Sequence, residues 1–206
     1  MKKVLFFAIP VLVLLSMACS KDKIDPVINQ PAPNETQADL TFLREEEKLA
    51  RDVYRYAATR YPSMQIFGNV ASSEQTHMDK TLAILQKYGL PDPIGTNAEG
   101  VFTDTLLQKL YVQLTQKVDV SLVDALLVGT TIEDLDIADL LTSQAVAELP
   151  EDIASLYAQL HCGSRNHLRA YVGQINTQGS SYAPQYLTPS YYAEVLAGSH
   201  ENCNQP

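Results

Sequence analysis

Positive charge is scarce in this sequence: 15 lysines and arginines stand against 24 aspartates and glutamates. They form no basic stripe, which argues against nucleic acid as a partner. Cysteine is scarcer still, with only Cys19, Cys162 and Cys203. There is no Cys-x-x-Cys pair, which excludes an iron–sulfur centre built on one. Strand-type alternation is weak almost everywhere, and no internal repeat is visible beyond a faint two-fold echo of one acid-and-histidine pattern. The one long apolar run, Val4–Ala18, falls short of the roughly 20 residues that span a bilayer comfortably.

What is present begins with that run. Met1-Lys2-Lys3 supplies a short basic start, and the apolar stretch ends in Leu15-Ser16-Met17-Ala18-Cys19. Residues 1–18 read as an export signal. A cysteine directly after a small residue resembles the lipobox of bacterial lipoproteins, which would make Cys19 the lipidated residue. Cleavage with simple secretion is the alternative, because Ser16 stands where that pattern prefers leucine. The expected address is therefore the cell envelope, with a membrane contact through an N-terminal lipid. Residues 19–39 are polar and proline-containing and read as a tether. About 165 residues remain, enough for one domain with a substantial core. The mature chain holds 13 basic against 24 acidic residues, a net charge of about −11 that suits a surface attracting cations. In an oxidising compartment Cys162 and Cys203 most simply pair, two free thiols being the alternative.

Helical periodicity dominates from Leu40 onward. Leu43, Glu47, Ala50, Tyr54 and Ala57 recur at three- and four-residue steps, and Tyr61-Pro62 ends that helix. A second helix starts near Ser72 or slightly earlier and runs to Tyr88, stopped by Gly89 and the Pro91-Asp92-Pro93 segment. A shorter segment spans Thr103 to about Val118. Ser121 caps a third long helix reaching about Gln144, and Pro150 opens a fourth from Glu151 to about Asn176. A short helix follows Pro189, and residues 199–206 form a tail. The expected fold is all-α: an up-down four-helix bundle over 40–198 with one long crossover that carries an extra helix.

Each long helix interrupts its inward stripe with polar residues. The first gives Glu47, the second Glu74 and His77, the third Glu133 and Asp136, the fourth Ser164 and His167. Several carboxylates in one core would repel each other and lose hydration, costing several kcal/mol per ion, unless metal ions offset the charge. Mixed carboxylate and imidazole donors suit iron, manganese or zinc. Glu45 and Glu46 read as a solvated face, although Glu46 lies near enough to the stripe to replace Glu47. Asp134 and Asp139 read as outward. His161, one turn before Ser164, could reach the site, but its neighbour Cys162 reads more readily as a disulfide position. Tyr54 and Tyr171 read as hydrogen-bond partners or plain core.

Glu47-Lys48-Leu49-Ala50-Arg51-Asp52-Val53-Tyr54 resembles the first metal helix of rubrerythrin-type ferritin-like proteins, and Glu74-Gln75-Thr76-His77 the second. The wider text (FLREEEKLARDVY, SEQTHMD, YGLPDP, IEDLDIADL, GSRNHLRAY) resembles the ferritin-like domain-of-unknown-function family 2202 from about Leu40 to Leu196. The resemblance implies a dinuclear site with glutamates from two helices and Glu-x-x-His from the other two. Carried over, it selects Glu47, Glu74, His77, Glu133 and His167. Ser164 stands where the fourth helix would supply a bridging glutamate, and Asp136, one turn beyond Glu133, is the candidate to compensate. The implied cofactor is a transition metal, iron first, with manganese or zinc possible, one or two ions per chain. The implied activity is oxidation linked to O2 or peroxide. A non-catalytic metal binder and a metal-free structural bundle are the rival readings. A homodimer is compatible with all three.

Overall fold

The computed structural model describes residues 34–203. The expected export signal, Cys19 and the tether as far as residue 33 lie outside them. Six helices follow in order: α1 (Asn34–Arg60), α2 (Gln65–Lys87), α3 (Thr105–Val118), α4 (Leu122–Gln144), α5 (Glu151–Thr177) and α6 (Pro189–Ala197). Among the described residues there is no strand. None of these helices is long and apolar enough to cross a membrane.

Short connections make α1 and α2 one antiparallel pair and α4 and α5 another, and both pairs pack closely. The α2–α5 and α1–α4 contacts close the bundle. α3 rides in the long connection between the pairs and packs on α1 and α4. The starts are locally encoded. Asp104 accepts the amides of Leu106 and Leu107 to cap α3, Ser121 caps α4, and Thr188 with Pro189 opens α6.

Two aromatic and aliphatic cores lie above and below the middle of the bundle. One is built on Tyr54, Phe67, Leu126 and Tyr171, the other on Leu40, Leu85, Leu156 and Tyr157. The polar residues singled out from the sequence lie between them.

α1 begins at Asn34, six residues before Leu40 and inside the span read as tether. Tertiary contacts carry it there: Thr36 is buried, and Asp39 accepts hydrogen bonds from Tyr157 Oη at 2.5 Å and Ser143 Oγ at 3.1 Å. Cys162 and Cys203 are disulfide-bonded, tying the tail to α5 across 41 residues of sequence.

Candidate metal centre

The four long helices deliver five side chains to one buried layer. Glu47, Glu74 and His77 each bring one donor atom within 4.8 Å of the others, and Glu74, Glu133 and His167 do the same. Glu74 belongs to both triads. Its Oε2 lies 2.8 Å from His77 Nδ1, and its Oε1 lies 2.8 Å from His167 Nδ1. Glu47 Oε2 is 3.2 Å from His77 Nδ1, and Glu133 Oε2 is 3.4 Å from His167 Nδ1. The helix period explains the convergence: Glu74 and His77, three residues apart, share one face of α2.

The 3.2 and 3.4 Å separations are those that ligands keep around an ion, and the two 2.8 Å separations are slightly shorter. With bonds of about 2.1 Å, neighbouring donors in octahedral or tetrahedral coordination stand roughly 3 to 3.5 Å apart. Hydrogen bonding accounts for the cluster less well. Both oxygens of Glu74, Glu47 Oε1 and His167 Nδ1 are buried without a hydrogen bond of acceptable geometry, despite the short separations. Buried groups left in that state cost free energy, and these four atoms, divided between the two triads, are placed where a cation could satisfy them.

The electrostatics are those of acids and imidazoles that perturb one another strongly. Burial pushes the Glu47 carboxyl up to about 8 against the pull of His77. Burial opposes charge on His167, yet the carboxylates of Glu74 and Glu133 outweigh it and raise the imidazole to about 10. His77 is likewise raised, burial being outweighed by Glu74 and Glu47. Burial would lift Glu74 too, but the two imidazoles hold it well below the ordinary carboxylate range. Without metal, protons on the histidines balance the acids.

The next layer orients the donors. Tyr54 donates its hydroxyl to Glu133 Oε1 at 2.5 Å. His167 Nε2 pairs with Ser73 Oγ at 2.9 Å. Gly163 makes room for His77: a Cβ at that position would stand 2.6 Å from His77 Nε2. A Cβ on Gly129 would stand 2.5 Å from the Tyr171 ring, which packs on Tyr54 with centroids 5.4 Å apart. Ser73 and Gly163 escape a sequence reading aimed at ligands. Gly163 still leaves a trace, because a glycine in mid-helix marks a close approach.

Asp136 does not join either triad. It accepts the hydroxyl of Ser164, the residue in the place of the missing glutamate. Burial, followed by repulsion from Glu47, Glu133 and Glu74, raises its carboxyl well above the usual range.

Two expectations are corrected, and the place of His161 is found. Glu45 is buried, not solvated, because its oxygens accept the amides of Thr103 and Asp104 at 2.5 and 2.8 Å, fixing the start of α3. Asp134 is fully buried instead of outward. It accepts the Tyr182 hydroxyl and the amides of Gln185, Tyr186 and Leu187, so the C-terminal segment folds over it. His161 turns away from the centre, its two ring nitrogens paired with Gln144 Oε1 and Tyr191 Oη at 3.1 and 3.0 Å. Glu46 is half-buried beside Asp136 and outside both triads, which leaves Glu47 as the α1 donor.

Residues 36–199 match the family described as an uncharacterized protein domain, DUF2202. A curated relative, the uncharacterized protein MJ0754 of Methanocaldococcus jannaschii, is 47% identical over 179 residues, 86% of this chain and 95% of the relative. The crystal structure of hypothetical protein MJ0754 aligns with a TM-score of 0.81 at 46% identity, covering 86% of this chain and all of that one.

Proposed function

The chain belongs to the DUF2202 family, and within it we propose a metal-binding protein whose buried centre holds two transition-metal ions, iron first, with manganese or zinc as alternatives. The observation that carries this reading is Glu74, whose two oxygens each face a different imidazole nitrogen at 2.8 Å without hydrogen-bond geometry. Glu74 would bridge the pair, His77 with Glu47 would hold one ion, and His167 with Glu133 the other. Bound iron would supply the redox couple for oxidation of Fe(II) or a small substrate by O2 or peroxide. Five protein residues for two ions leave coordination positions open, as reactive sites require. The ferritin-like kinship of the helices is part of the same proposal.

Ser164 supports a second reading. With no bridging glutamate from α5 and with Asp136 engaged by the Ser164 hydroxyl, the centre would bind metal at the cell envelope without turnover. The Cys162–Cys203 disulfide favours an oxidising, extracytoplasmic compartment under either reading. An N-terminal lipid on Cys19 would hold the protein there.

Metal content after anaerobic loading with Fe(II) or Mn(II) tests the proposal. About two ions per chain are expected, and none in the His77→Ala, His167→Ala double variant. One ion would favour the binding reading, and no ion in either protein would sink both. Peroxide added to the Fe(II) form separates turnover, which changes its colour at once, from storage, which does not.

A further inference from the structure

A cleft of ≈510 Å³ opens between α2, α5 and the tail, and His77 and His167 both reach its floor. The two histidines aim Nδ1 at the carboxylates, which leaves their Nε2 edges on this side. His77 Nε2 lies against Gly163, and His167 Nε2 against Ser73 Oγ. The remaining walls are hydrogen-bonding side chains, among them Thr76, Lys80, Gln159 and Asn166. On the other side of the centre, a void beside Glu47 and Asp136 measures only ≈40 Å³ and is lined mostly by apolar side chains.

The outer wall of the cleft is residues 200–203, and one face of α5 holds it. Cys162 carries the disulfide to Cys203. Arg165 and Arg169 grip the Glu201 carboxylate, at 2.9 Å from Arg165 Nε and 2.7 Å from Arg169 Nη2. Asn166 pairs with both the carbonyl and the amide of Glu201, at 3.0 and 2.9 Å. Cys162, Arg165, Asn166 and Arg169 are spaced 3, 1 and 3 residues apart, so they form one stripe of the helix. Two of them adjoin Gly163 and His167 in sequence.

We propose that this cleft is the port of the centre, admitting small hydrogen-bonding solutes of the size and polarity of hydrogen peroxide, and that the disulfide-held tail is the wall that narrows it. What the port serves rests on the metal reading above. That it exists does not. Serine, threonine, lysine and amide side chains on the walls give a hydrophilic solute hydrogen-bonding partners along the route.

Hydroxyl radicals from photolysed hydrogen peroxide, with modified residues mapped by mass spectrometry, test the port on metal-free protein. In a Cys162→Ser, Cys203→Ser variant, labelling of His77 and His167 is expected to rise severalfold while Tyr54 and Tyr171 stay unlabelled. Thr76→Trp, an exposed position on the cleft wall, is expected to reduce histidine labelling severalfold with the disulfide intact. If the serine variant loosens the whole bundle, the buried tyrosines will report it and Thr76→Trp alone decides. Histidine labelling unchanged by Thr76→Trp overturns the port. A wild-type chain that takes up no metal yet shows the Thr76→Trp effect overturns the metal reading and leaves the port standing.

Discussion

At the scale of single residues, the geometry of the five converging side chains depends on groups outside both triads. Tyr54 holds Glu133 by a 2.5 Å hydrogen bond and is fully buried. Removing such a partner leaves a ligand free to rotate and typically lowers metal affinity ~10- to 100-fold. Tyr54→Phe should do so in a competition titration, with helix content unchanged because the ring still packs on Tyr171. An unchanged affinity would mean that Glu133 is oriented by something other than the phenol. The five donors are readable from the sequence because each interrupts an apolar stripe, and a 3.6-residue period sends the interruption inward. Glu45 and Asp134 are not readable that way. Their partners are backbone amides at the start of α3 and in residues 185–187, more than fifty residues away in sequence. Local charge says that such an acid is wet, and only the folded chain supplies donors that let it be dry.

At the scale of elements, buried ionic groups fasten the irregular segments to the bundle. Lys48, fully buried, binds Asp52 at 2.5 Å and the Ala98 carbonyl at 2.9 Å, while Asp52 also accepts the Gly100 amide at 2.9 Å. The loop before α3 is thereby tied to α1. Asp134 does the same for the C-terminal segment with four hydrogen bonds. Asp134→Ala would leave three amides without their acceptor, a loss of about 3 kcal/mol on the scale of charged hydrogen bonds. Urea unfolding should show that loss, and amide exchange at 185–187 should speed up before exchange in α5 does. Equal protection in variant and wild type would show that the segment is held by packing instead. Helix number and order follow from caps and prolines in the sequence. The early start of α1 does not, because it depends on Asp39 meeting Tyr157 and Ser143.

At the scale of the whole molecule, the centre links metal, protons and stability. Without metal, His167 is raised to about 10 and Glu47 to about 8, so the folded chain holds protons that the unfolded chain releases. The histidine's contribution is fully present below its unfolded value of about 6.5 and fades as pH climbs through 10. The Glu47 carboxyl acts with the same sign: above about 4.5 the unfolded state ionises it freely while the folded state does not, so stability drops between there and 8. Glu74, held low by the two imidazoles, acts only at the acid end. The metal-free fold therefore weakens as pH rises from 6 to 9. On the metal reading a bound cation would take the place of those protons, and its affinity would climb over the same range as it competes with fewer of them. The gap in melting temperature between zinc-loaded and metal-free protein should widen steadily from pH 6 to pH 8.5, zinc being chosen because it has no redox chemistry. Calorimetry in buffers of different ionisation heats should also record proton release on zinc binding. A constant gap with no protons released would mean that the histidines are already neutral without metal. No gap at any pH would make the short contacts at Glu74 ordinary buried polar pairs, and the four helices would then meet at a layer built for packing alone.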